Sequence, residues 1–101
     1  MRELIYLTAA LDDLDAIFDY IAPDNPRRAA SFVDEIRRRC LTLCDHPELG
    51  SSRADIKPGL RILPLPRRVV VFYSITESEI VIVRVFSGGR DYEAIMRDDP
   101  S

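Results

Sequence analysis

The chain has 101 residues, 47% of them hydrophobic and 31% charged. That size and balance fit one domain, residues 1–101, and exclude both a two-domain protein and a disordered chain. The formal net charge of −3 argues against autonomous duplex binding, and no apolar run nears the roughly 20 residues that cross a bilayer.

Two cysteines do not make a disulfide framework. The opening Met1–Thr8 is too short, and too soon followed by acids, to be a secretory signal. The cytoplasm is therefore the expected compartment, with no membrane partner. The charge is unevenly spread: residues 1–25 carry one cation against six acids, and residues 26–91 carry twelve cations against eight acids. Thirteen of the fourteen cations are arginine, whose planar guanidinium suits acidic peptides or phosphate.

Glu3 to Leu7 alternates like a short strand, and Thr8 after it is a candidate helix N-cap. Leu11, Leu14, Ile17, Phe18 and Ile21 recur at helical spacing, with Asp12, Asp15 and Asp19 opposite. Pro23 ends that helix. Asn25-Pro26 starts a second one, whose apolar stripe through Ala29, Ile36, Cys40 and Cys44 runs to His46. Two helices so closely joined form an antiparallel hairpin.

Lys57-Pro58-Gly59-Leu60 has the pattern of a type II turn. A strand over Leu60–Leu63 follows and ends at Pro64. Arg68–Ile75 and Glu79–Phe86 are β-branched strands joined by Thr76-Glu77-Ser78. Asp91–Met96 has room for one or two helical turns. The fold class is α+β: a strand, a helix hairpin, a three-stranded antiparallel sheet and a short C-terminal helical segment. Val69–Tyr73 and Ile80–Val83 are apolar on both faces, although the two helices cover only one. Either the C-terminal segment (Tyr92, Ile95, Met96) with the Pro-rich turns covers the other face, or a partner peptide does.

Cys40 and Cys44 fall on the core stripe, and with His46 they are too few ligands for zinc, so no metal or cofactor is expected. The aspartates of the first helix read as a solvated face. Arg61 and Arg84 lie inside strands and Arg90 follows a Gly-Gly bend, so each needs a counter-ion. Asp55 and Asp91 are candidate partners, and a phosphate is the functional alternative. Joined to Tyr73 or Tyr92 they could form an RNA-cleaving site, but no general base stands beside them, and no catalytic residue is assigned.

Ala10–Ile21, Asn25-Pro26 with Ala29–Phe32, and His46–Gly50 resemble the RelE/ParE toxin superfamily, the ParE branch most closely. So do Pro58–Arg61, Val71–Tyr73 and Val83–Asp91, all in the same order. The resemblance implies the toxin of a bacterial type II toxin–antitoxin pair. Such a toxin would inhibit DNA gyrase, would be neutralised by a ParD-like antitoxin, and would reach operator DNA only through that antitoxin. With it, Leu11, Leu14, Phe18, Arg61, Val71, Tyr73 and Arg84 are candidates for antitoxin binding, and Arg90, Asp91 and Tyr92 for target binding. The alternatives are a RelE-like mRNA endoribonuclease, which the single lysine and the lack of histidine after His46 do not suit, and a non-toxic binding member of the fold.

Overall fold

The computed structural model describes residues 1–98. Strand β1 (Glu3–Tyr6) leads into helices α1 (Thr8–Ile21) and α2 (Pro26–Leu41), followed by a single 3-10 turn, Thr42–Cys44. Then come β2 (Ser51–Ser52), β3 (Leu60–Leu65), β4 (Val69–Ile75), β5 (Glu79–Phe86) and α3 (Tyr92–Asp98). The expected α+β order holds, but the sheet has five strands in the order β1-β5-β4-β3-β2, with β1 parallel to β5 and the other pairs antiparallel.

Local chemistry explains most boundaries. Asn25 caps α2 by accepting from the Arg28 amide at 3.0 Å, and Pro26 fills the first helical position. Thr8 does not cap α1. Leu7 holds that position because its amide still donates to Ile82 of β5 while its carbonyl accepts from Ala10 and Leu11. Helix α2 stops at Leu41 rather than His46, because the Thr42 carbonyl takes both the Asp45 and His46 amides and tightens the last turn. The type II turn forms as expected, with Leu60 N donating to Lys57 O and Gly59 at φ 80°.

Strand β3 continues through Pro64, which pairs with Val70. Leu60 O accepts from Arg53, away from β4. By alternation Pro64 also points its missing amide outward, where β2 extends no further than Ile62. The proline thus blocks strand addition along that open edge.

The sheet is apolar on both faces because the chain covers both. Between the helices and the sheet, Leu14 of α1, Ile36 and Cys40 of α2, and Leu43 pack with Val71 and Tyr73. On the opposite face Leu60, Ile62, Phe72, Phe86 and Met96 pack with Tyr92 and Ile95 of α3. Phe72 meets Phe86 edge-on at 6.0 Å, and Tyr92 sits 5.5 Å from Phe72. A partner peptide is not needed to hide this layer: the C-terminal helix does so. Cys40 is a core residue whose thiol burial pushes up to about 11, so it stays protonated at neutral pH.

An ion network pins α3. Arg53 bridges Asp55 (3.0 Å) and Glu93 (2.7 Å), and Arg97 reaches the Asp55 carboxylate at 2.9 Å. Asp55 thus serves this clamp rather than the strand arginines Arg61 and Arg84. The Arg53 hydrogen bonds, joined by Arg97, hold its pKa at about 2, below the ordinary 3.8. Because the folded-state value is the lower one, the clamp's contribution is complete above about pH 4. It is lost as the pH falls toward 2. Thermal melts between pH 5 and 2 should therefore show a falling melting temperature in that window, and Asp55→Asn should flatten that acid limb.

Candidate functional site

The strand arginines are engaged inside the molecule. Arg84 grips Asp13 of α1 through two bonds, Nε to Oδ2 at 2.7 Å and Nη2 to Oδ1 at 2.9 Å. Asp13 Oδ2 also accepts the Val85 amide at 2.9 Å. Asp13 is 9% exposed and faces the core side of α1, not solvent. Arg61 donates to the carbonyls of Gly50 and Glu48. Neither arginine uses Asp55 or Asp91 as first expected.

Tyr73 is fully buried, its hydroxyl donating to Pro47 O at 2.6 Å and accepting from Gly50 N at 2.9 Å. These bonds anchor the connector between α2 and β2. A Cβ on Gly50 would lie 2.5 Å from the Ile62 carbonyl and 2.8 Å from the Tyr73 ring, so only glycine lets the backbone come this close. Leu14 and Val71 are likewise in the core. Leu14, Val71 and Tyr73 are therefore buried in the fold, while Arg61 and Arg84, partly covered, are held by bonds within the molecule. Of the remaining candidates, Leu11 is exposed and Phe18 half-buried. Asp91 accepts the Ala94 amide at 3.3 Å at the start of α3, and Tyr92 stacks on Phe86 and meets Phe72 at a tilt. Arg90 is exposed, its guanidinium 5.3 Å above the Phe86 ring.

What lies open is a groove of about 550 Å³ between the second half of α1, the start of α2 and one end of the sheet. Ile17, Ile21, Phe32 and Val85 line it together with Arg67 and Arg90, and Tyr20, 87% exposed, stands at its rim. Phe32 and Arg67 also line an adjoining groove of about 360 Å³ between α2 and the β3–β4 hairpin, beside Arg28 and Leu65. Arg28 stacks over Phe32 at 5.1 Å.

The hairpin turn Pro66-Arg67-Arg68 carries no mark in the sequence pattern. Arg67 and Arg68 have φ of 66° and 63°, a left-handed conformation that costs a non-glycine residue roughly 1–2 kcal/mol. Gly88 and Gly89, in the facing loop, adopt φ of 71° and 72° without that cost. The Arg68 guanidinium occupies the space a Gly89 side chain would need, so the two loops interlock. Among the described residues neither Arg67 nor Arg90 makes an ion pair. Nor, among them, do three or more His, Cys, Asp or Glu side chains gather as a metal site, and no helix is long and apolar enough to cross a membrane.

This architecture has relatives. A family model described as the ParE toxin of the type II toxin-antitoxin system, parDE, matches residues 4–92. Toxin ParE3 of Caulobacter vibrioides is 31% identical over 89 residues, covering 87% of this chain and 88% of its own. A solved structure of the chromosomal ParDE TA system from P. aeruginosa superimposes with a TM-score of 0.74 at 29% identity, covering 86% of this chain and 96% of that one. The chain belongs to the ParE toxin family of type II toxin–antitoxin systems.

Proposed function

We propose that the chain acts in the cytoplasm by binding rather than by catalysis: it inhibits DNA gyrase, and a ParD-like antitoxin neutralises it. Family membership supports the pairing, since the related P. aeruginosa structure is of a ParDE system. The observation that carries the binding reading over RNA cleavage is internal. Of the side chains that a nuclease reading would recruit, those in the strands are spent on the fold, Tyr73 on Pro47 and Gly50, Arg84 on Asp13, and Arg61 on Gly50, while Tyr92 packs on Phe86 and Phe72 and Arg90 stays exposed. A buried phenol and a paired guanidinium cannot also reach a phosphodiester.

Purified protein added to a gyrase supercoiling assay should block supercoiling, and pre-mixing with the antitoxin encoded by the neighbouring gene should restore it. Normal supercoiling together with shortened transcripts in expressing cells would instead favour the endoribonuclease reading. Operator DNA, on this account, is contacted only through the antitoxin, as the chain's net charge of −3 leaves it a weak ligand for duplex alone.

A further inference from the structure

We infer that the groove between α2 and the β3–β4 hairpin is an anion site that takes an oligophosphate, free or carried on a nucleotide, with Arg28 and Arg67 as its principal ligands. The inference goes beyond the toxin reading and does not depend on it.

Four guanidinium groups line this groove of about 360 Å³, those of Arg28, Arg38, Arg39 and Arg67, against the single carboxylate of Glu35. The chain as a whole has a net charge of −3, so this local excess of cations is not a general property of its surface. Glu35 is already engaged twice, by Arg38 Nη2 at 2.7 Å and by Arg39 Nε at 3.1 Å. Those bonds orient both side chains, and among the described residues they leave the Nη groups of Arg39 with no protein acceptor. Arg28 and Arg67 make no ion pair among those residues.

Each of these two arginines also stands where its position costs energy. Arg28 lies in the first turn of α2, where the positive end of the helix dipole disfavours a cation and no acidic residue offsets it. Arg67 keeps a left-handed backbone that asparagine or glycine would adopt more easily. Local conflicts of this kind collect at ligand sites. Both side chains are partly pre-set. Arg28 is stacked over Phe32 at 5.1 Å, and Arg67 adjoins Arg68, whose guanidinium fills the space beside Gly89. Stacking on a ring face leaves the edge donors of a guanidinium free for phosphate oxygens.

The spacing selects the ligand. Arg28 and Arg39 stand about 16 Å apart along the axis of α2, with Arg67 on the facing hairpin. One carboxylate or one phosphate cannot meet them all, whereas linked phosphates carry several charges along a short chain. Duplex nucleic acid fits less well, because the molecule as a whole is acidic.

The test is isothermal titration calorimetry of the full-length chain with tripolyphosphate, ATP, citrate and a single-stranded oligodeoxynucleotide, each at about 50 and 200 mM salt. The variants are Arg28→Gln/Arg67→Gln and Arg67→Asn, with Arg27→Gln and Arg90→Gln as controls outside the groove. Tripolyphosphate affinity should fall at least about tenfold in the double variant, with a shallower salt dependence, and change less than about threefold in either control. Arg67→Asn should bind more weakly yet melt about 4 °C or more higher, because asparagine tolerates the left-handed backbone. That opposite movement separates a binding role from a structural one.

ATP binding more tightly than tripolyphosphate supports a nucleotide as the source, and ATP binding no more tightly supports the phosphate chain alone. Undiminished affinity in the folded double variant overturns the site, as does a wild-type chain that binds no tripolyphosphate at low salt. Citrate binding as tightly as tripolyphosphate overturns the phosphate class in favour of charge attraction alone. An oligonucleotide that binds more tightly still, and that the double variant loses, assigns the groove to a nucleic-acid backbone instead. None of these outcomes changes what the supercoiling assay reads, so the two proposals fail separately.

Discussion

Asp13→Ala is expected to lower the melting temperature by roughly 12 °C or more, the largest effect of any single side chain outside the apolar core. The substitution takes away both Asp13 bonds of the Arg84 guanidinium, 18% exposed, and removes the acceptor of the Val85 amide. Removing one member of such a buried pair typically costs 3–5 kcal/mol, and each kcal/mol moves the melting point of a domain this size by about 4–8 °C. Arg84→Ala should approach the same loss by leaving the buried carboxylate with the Val85 amide but no cation beside it. Replacing both, as Asp13→Leu/Arg84→Met, should recover much of it, since a well-packed apolar pair avoids the desolvation penalty. Thermal denaturation followed by circular dichroism measures all three. A mild effect of Asp13→Ala would show that water or another group can take its place.

Tyr73 carries the second large effect, and it splits into two parts. Tyr73→Phe removes only the hydroxyl, leaving Pro47 O and Gly50 N without their partner, a loss of about 1–3 kcal/mol. Tyr73→Ala adds a cavity in the centre of the sheet's inner face, and about 3–5 kcal/mol is expected for truncating an aromatic of this size. Gly50→Ala should resemble Tyr73→Phe, because its methyl would press on the Ile62 carbonyl and the Tyr73 ring. The functional consequence is specific. At a temperature where Tyr73→Phe is still folded, its affinity for antitoxin should equal that of the native chain. A folded Tyr73→Phe that no longer binds would return this residue to the binding surface from which its burial removes it.

Much of the fold is legible in the sequence because it is local. The helix hairpin follows from two apolar stripes and Asn25-Pro26, and the central strands from their β-branched runs. The edge strands are not local. Strand β1 pairs with β5 across more than seventy residues, and β2 is two serines whose only strand-like property is their partner, β3. The site divides along the same line. Arg84 in an apolar strand signals a counter-ion, but naming Asp13 requires knowing that α1 crosses β5. One sign was available: Asp13 lies three residues after Ala10 and four before Ile17, on the buried stripe rather than opposite it. The two-sided apolar sheet was a true signal with two readings, and α3 decides between them. The Arg67-Arg68 turn has no composition signature at all, because its character comes from backbone angles.

The central claim is that this chain is a toxin held in check by a companion. It is tested most directly by inducing the chain in bacterial cells, alone and with the neighbouring open reading frame, and counting colony-forming units. The account predicts a loss of viability with the chain alone, reversed by co-expression. Undiminished colony counts, at a level where the protein is recovered soluble and folded, would contradict it.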